Sequence, residues 1–176
     1  RRRRTGKSRQ RSDADFGRRP AFFASLLTDQ ENKSKIAHMS SVSGGSVMKL
    51  YCTRRQESGS LLEQIFGIKG EEVGKNQWGK PYLKDHKMYF NVSHTGNYTF
   101  LAAADQEVGI DAEEITSYDE RIPALYFTGD ERDYWYRSRD RRKAFFEIWT
   151  KKESCLKYLG MGFFLTPQSI SVMKQD

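Results

Sequence analysis

Carboxylates and lysines in two short segments could carry the chemistry of this 176-residue chain: GIDAEE at Gly109–Glu114 and WTKKESCLKYLGMG at Trp149–Gly162. On a strand, successive side chains point to opposite faces, so Asp111 and Glu113 point the same way. In the second segment Trp149, Glu153 and Lys157 are spaced four apart and share one helical face. If that helix packs beside the strand, Asp111, Glu113 and Glu153 converge. Three carboxylate oxygens leave room in an octahedral Mg²⁺ shell for water and phosphate oxygens. Lys152 and Lys157 would bring positive charge to the same phosphates. The plainer alternative is a surface Glu153–Lys157 pair worth about 0.2–0.5 kcal/mol, beside two solvated carboxylates.

The elements that must position these residues follow from pattern. Glu107-Val108-Gly109-Ile110 reads as a buried strand nearing its end. Arg141–Leu159 reads as a helix stopped by Gly160. Lys87–Ser93 and Tyr98–Ala104 read as a strand pair, with Gly96-Asn97 fitting the turn. Residues Pro20–Gln30 and Val47–Glu57 read as weak helices around a Ser40–Ser46 loop. Leu61–Phe66 reads as a helix ended by Gly67, and Gly70–Gly79 as polar and turn-rich. Further helices are expected over Asp119–Tyr126 and Asp130–Arg137, with Thr128 a reasonable cap for the second. A short closing strand is expected at Ile170–Met173. The aromatic residues between Tyr126 and Trp149 recur at helical spacing and read as core.

Composition sets bounds. Hydrophobic residues make up 37% and aromatics 13%, which supports a globular protein. The formal charge is +7, from 30 Lys+Arg against 23 Asp+Glu. A basic surface attracts nucleic acid, an anionic membrane or an acidic protein. Part of that excess lies in RRRRTGKSRQRSDADFGRRP, Arg1–Pro20, which is expected to be a disordered basic leader. AFFASLL after it is too short to span a bilayer. Cys52 and Cys155 lack any CxxC or Cys/His spacing, which argues against a soft-metal site and suits a reducing cytoplasm. Cys155 points off the Glu153–Lys157 face and reads as core.

At these residues a family resemblance emerges. GIDAEE followed by F-x-x-x-W-T-x-K-E-x-x-x-K-x-x-G-x-G resembles the surfactin-synthetase-activating (Sfp-type) 4′-phosphopantetheinyl transferases. GKPYL at Gly79–Leu83 and FNVSHTG at Phe90–Gly96 match two further motifs of that family, in order. The resemblance implies an enzyme that moves phosphopantetheine from coenzyme A to a serine of an acidic acyl or peptidyl carrier protein, releasing 3′,5′-ADP. Asp111, Glu113 and Glu153 fall on the family's metal-binding carboxylates, and Mg²⁺ is the implied ion. Glu153 is also the candidate general base, and Lys157 contacts the pyrophosphate. Coenzyme A would further meet Lys80, Pro81, Ser93, His94, Thr95 and Lys152, with His94 at the 3′-phosphate.

The implied fold is α/β (α+β), with two similar lobes in a pseudo-twofold arrangement and the active site in the cleft between them. Residues 21–106 would form the N-terminal lobe and 107–176 the C-terminal lobe carrying the metal site. The second lobe is expected to be shortened, because the chain stops soon after Ile170–Met173. The resemblance also implies basic residues of the first lobe that reach coenzyme A, for which Lys49, Arg54 and Arg55 are the candidates. A monomer would suffice, in the cytoplasm, with no membrane partner. Two other readings stand behind this one: a coenzyme A or carrier-protein binding module without turnover, and, last, a nucleic-acid binder driven by the arginine tail.

Overall fold

A computed structural model describes residues 22–28, 40–43, 46–54 and 58–173. In chain order these form β1 (Phe22–Thr28), β2 (Ser40–Ser43), β3 (Ser46–Arg54) and α1 (Ser58–Phe66). Then come β4 (Val73–Lys75), β5 (Pro81–Leu83), β6 (Tyr89–Thr95), β7 (Tyr98–Ala104) and β8 (Val108–Glu114). Three helices follow: α2 (Ile122–Tyr126), α3 (Gly129–Arg137) and α4 (Arg141–Leu159). The result is a mixed α+β fold. The basic leader and Arg55 lie outside the described residues.

The hairpin expected from HTGN forms, with β6 and β7 antiparallel and Thr95 opposite Tyr98. It belongs to a four-stranded sheet ordered β2-β3-β7-β6. β8 pairs instead with β1, in parallel, with Ser25 opposite Asp111. β4 and β5 make a small antiparallel pair. α4 packs across β8 and β1, and Gly109 allows the close approach: a Cβ there would run into the Ser154 carbonyl and the Tyr158 amide.

Several expectations are corrected. The segments read as weak helices contain strands, β1 and β3. In β3 the signal was alternation: Met48 and Leu50 are buried while Lys49 between them is exposed, a period of two that fits one buried face. β1, FFASLLT, alternates at neither strand nor helix period, so periodicity alone cannot assign it; its ladder to β8 decides. Ser40–Ser46 is not all loop, since β2 pairs with β3. β4 lies within the turn-rich stretch, and α2 starts at Ile122, after the expected Asp119, with proline in its first turn. Ile170–Met173 makes no strand; Ile170 and Val172 are buried, but a 3₁₀ turn at Pro167–Ser169 precedes them.

The helical boundaries that carry chemistry hold. Thr128 Oγ1 accepts the Glu131 amide at 3.4 Å while Glu131 Oε2 accepts the Thr128 amide at 2.7 Å, a capping box. α4 starts with Asp140 accepting the Lys143 amide at 2.9 Å and ends at Gly160, whose φ of 65° is left-handed. Against α4 the aromatics pack as expected: Phe127, Phe145 and Phe146 are buried, and Tyr118 stacks on Phe145 at 3.9 Å. Tyr134 and Tyr136 of the same stretch are exposed. Cys155 is core, its thiol pushed up to about 12 by burial.

Candidate functional site

The site forms where β8 runs beside β6 without a backbone ladder. Asn91 Oδ1 accepts the Ile110 amide at 3.0 Å, Ser93 Oγ accepts the Ala112 amide at 3.2 Å, and Thr95 Oγ1 accepts the Glu114 amide at 3.0 Å. The separation is nineteen residues each time, so the two strands run parallel and in step. Three small polar side chains, two residues apart on one face of β6, thus satisfy amides of β8 that would otherwise be buried without partners. β1 serves the other edge of β8. A strand held on both edges presents Asp111 and Glu113 in fixed positions.

Lys157 reaches in from the last turn of α4. Its ammonium donates to Asp111 Oδ1 at 2.6 Å and to Ser93 Oγ at 3.1 Å, while the Ser93 hydroxyl lies 3.1 Å from Asp111 Oδ1. Asp111 is 3% exposed, and its other oxygen, Oδ2, is buried without a hydrogen-bond partner among the described residues. Glu153 and Glu113 share this neighbourhood electrostatically. Burial raises the Glu113 carboxyl to about 7; Asp111 adds to the rise, Lys157 draws it back and Glu153 contributes further. The Glu153 carboxyl is also raised, by burial first and the Asp111 charge second. The three carboxylates and the lysine expected from sequence therefore share one charged neighbourhood.

As placed, they are not gathered into a metal cage: among the described residues no group of three His, Cys, Asp or Glu side chains could hold an ion. Two observations nonetheless fit a hard divalent cation. The donors are all carboxylate oxygens, and the orphaned Asp111 Oδ2 is an acceptor still to be satisfied.

Other expected coenzyme A ligands are placed differently. An ammonium has three donors. Lys152 directs its ammonium at Glu131 Oε2 at 2.7 Å, the Pro167 carbonyl at 2.8 Å and the Ile170 carbonyl at 2.5 Å, fully buried. It is a core cross-link with no donor left for a phosphate. Lys80 likewise donates to Glu107 at 2.6 Å, the Tyr158 carbonyl at 2.9 Å and the Val108 carbonyl at 3.2 Å. It ties the C-terminus of α4 to the start of β8. Pro81 begins β5, half-buried. Ser93 and Thr95 face β8, whereas His94, between them, is exposed on the opposite face. Lys49 and Arg54 are exposed on β3.

Sequence reasoning missed Asn91, Glu131 and Asn76. Asn76 caps this corner, donating to the Gly160 carbonyl at 2.9 Å and accepting the Lys80 amide at 2.9 Å. The available signal was Asn-x-Ser-x-Thr on a strand, a polar file where an apolar face is the rule.

A strand–helix pair thus brings three carboxylates and one partly exposed lysine into one charged neighbourhood, in a mixed α+β fold. Comparisons with known proteins say what the chain is similar to. Residues 107–176 match the model of the 4′-phosphopantetheinyl transferase superfamily. A 4′-phosphopantetheinyl transferase of Aneurinibacillus migulanus is 34% identical over 121 residues, 65% of this chain and 50% of that protein. One from Bacillus pumilus is 38% identical over 87 residues, 48% of this chain and 37% of that protein. The transferase Sfp of Bacillus subtilis is 33% identical over 104 residues, 57% of this chain and 46% of that protein. The resemblance read from the motifs is thereby supported independently. The chain spans about half the length of the first of these relatives, and less of the others.

Proposed function

We propose that this protein transfers 4′-phosphopantetheine from coenzyme A to a serine of an acyl or peptidyl carrier protein, releasing 3′,5′-ADP. The observation that carries the reading is the Asp111–Lys157 pair with Glu113 and Glu153 beside it. Lys157 uses two of its three donors on Ser93 and Asp111, leaving one N–H for an incoming phosphate oxygen. Its side chain is 31% exposed, so a ligand can reach it. Asp111, Glu113 and Glu153 would hold Mg²⁺, which supplies positive charge to the diphosphate when bound.

Glu153 accepts the proton of the carrier serine, directly or through water; the burial that raises its pKa makes it a better base. The serine oxygen attacks the phosphorus on the pantetheine side of the diphosphate, and the bond to the 3′,5′-ADP oxygen breaks. Lys157 offsets charge on the leaving phosphate, the usual largest contribution in such chemistry. His94, exposed on the other face of β6, is the residue we assign to the 3′-phosphate. The site lies where β6 of the stretch 21–106 meets β8 of 107–176, which supports two lobes with the active site between them. The net charge of +7 suits an acidic carrier. No helix among the described residues is long and apolar enough to cross a membrane, and we place the protein in the cytoplasm as a monomer.

The test is the intact mass of an apo carrier protein after incubation with this protein, coenzyme A and Mg²⁺. A gain of one phosphopantetheine, lost with EDTA, is expected. No gain across fatty-acid, polyketide and peptide carriers, with coenzyme A still bound in calorimetry, would make the protein a binding module instead.

A further inference from the structure

The phosphopantetheinyl-transfer reading leaves one buried hydroxyl to be explained. Ser93 is 4% exposed and meets three groups at once: the Ala112 amide at 3.2 Å, the Lys157 ammonium at 3.1 Å and Asp111 Oδ1 at 3.1 Å. The amide and the ammonium can only donate, so they fill both acceptor sites of the hydroxyl oxygen. Its single proton then goes to Asp111, which can only accept as a carboxylate. No donor remains for a phosphate of coenzyme A. The hydroxyl sits at the middle of the Asn91-Ser93-Thr95 file, and of the three it alone also touches the charged pair.

We propose that Ser93 is a positioning residue, fixing Asp111 and Lys157 relative to each other rather than binding coenzyme A. The inference rests on the transfer reading for its kinetic consequences, but not for its structural one. Without the hydroxyl, Asp111 Oδ1 loses one donor and Lys157 one of its two acceptors. The ammonium then swings more freely, and the Asp111 carboxylate is less well aimed. Binding of the coenzyme A nucleotide, by contrast, does not pass through Ser93.

Two readouts test this on the full chain. The first is acetic anhydride labelling of Lys157 in the metal-free protein, followed by mass spectrometry, which needs no turnover. Ser93→Ala should raise the labelling rate severalfold, and Ser93→Thr, which restores the hydroxyl, should bring it back toward wild type. The second is steady-state transfer: Ser93→Ala should lower kcat at least tenfold with the KM for coenzyme A within twofold, and Ser93→Thr should recover most of the loss. Should Ser93→Ala not fold, Ser93→Cys, a weaker hydrogen-bonding group of similar shape, gives the same comparison. A raised KM at unchanged kcat would make Ser93 a coenzyme A contact and overturn the proposal, as would labelling unaffected by loss of the hydroxyl. If the wild type transfers nothing, the transfer reading fails by itself; the labelling still decides whether Ser93 holds Lys157.

Discussion

Lys152 and Lys157 lie five residues apart on α4, about 140° around a helix of 3.6 residues per turn, and they do opposite things. Lys152 faces the aromatic core, where Glu131 and two carbonyls take all three of its protons and none of it is exposed. Lys157 faces the β6–β8 seam, where it touches Asp111 and Ser93 and keeps one donor and partial exposure. Residue type and helix are shared; the number of fixed acceptors around each ammonium differs. A lysine with every donor satisfied holds structure together, and one with a donor to spare can meet a ligand.

The largest test of that contrast removes the buried cation. Lys152→Ala leaves the buried Glu131 without its counter-ion, held only by the Thr128 and Val172 amides, and breaking a buried pair costs about 3–5 kcal/mol. Burial already pulls the Lys152 pKa down against the opposing pull of Glu131, so the ion is held there by its partner. Urea unfolding should show the loss, and Lys152→Met with Glu131→Gln together should cost less than the two single changes summed. A Lys152→Ala protein as stable as wild type would break the comparison.

Lys157→Met should do the reverse. Stability should fall by less than on loss of Lys152, because Lys157 is 31% exposed where Lys152 is not exposed at all, while transfer falls by about 10²–10³-fold through lost charge stabilisation. Melting temperature and intact-mass assays on one preparation separate the two effects. A Lys157→Met protein that keeps full transfer would remove the lysine from the mechanism.

What sequence could and could not show follows the same division. Residues that act through spacing on one element were legible: Asp111 with Glu113 on β8, Glu153 with Lys157 on α4, the Thr128 cap and the Gly160 stop. Residues whose role depends on what lies across from them were not. Lys152 matches a motif lysine beside Glu153, but Glu131 twenty-one residues earlier decides where its charge goes. Lys80 reads as a nucleotide neighbour, and the ends of β8 and α4 claim it instead. β1 reads as a weak helix because its strand identity comes from β8, far along the chain. Spacing reports one face of one element; acceptors brought from elsewhere appear only in the fold.

The contact that brings Lys157 to Asp111 at all is the close packing of α4 on β8 at Gly109. Gly109→Ala would press a methyl group into the backbone of α4 at Ser154 and Tyr158, and overpacking of this kind costs about 1–3 kcal/mol. Helix α4 must shift outward, so transfer should fall even at temperatures where the variant stays folded. Loss of stability with transfer intact would mean that the helix can move without disturbing the site.

The smallest expected effect concerns the proton on Glu113. Its folded pKa is raised to about 7 from an ordinary value of 4.5, chiefly by burial. The native state then binds more protons than the unfolded chain between those two values. This group's contribution to stability is therefore fully present below pH 4.5 and is lost as pH rises through about 7. In EDTA, the melting temperature of the wild type should decline from pH 5 to pH 8 more steeply than that of Glu113→Gln, whose amide does not titrate. Lys157 bears on the result, because its charge opposes the shift. In Lys157→Met the Glu113 carboxyl should hold its proton to higher pH, moving the decline upward. Identical slopes for wild type and Glu113→Gln would show that Glu113 is not poised as the geometry implies, and that Lys157 answers to Asp111 alone.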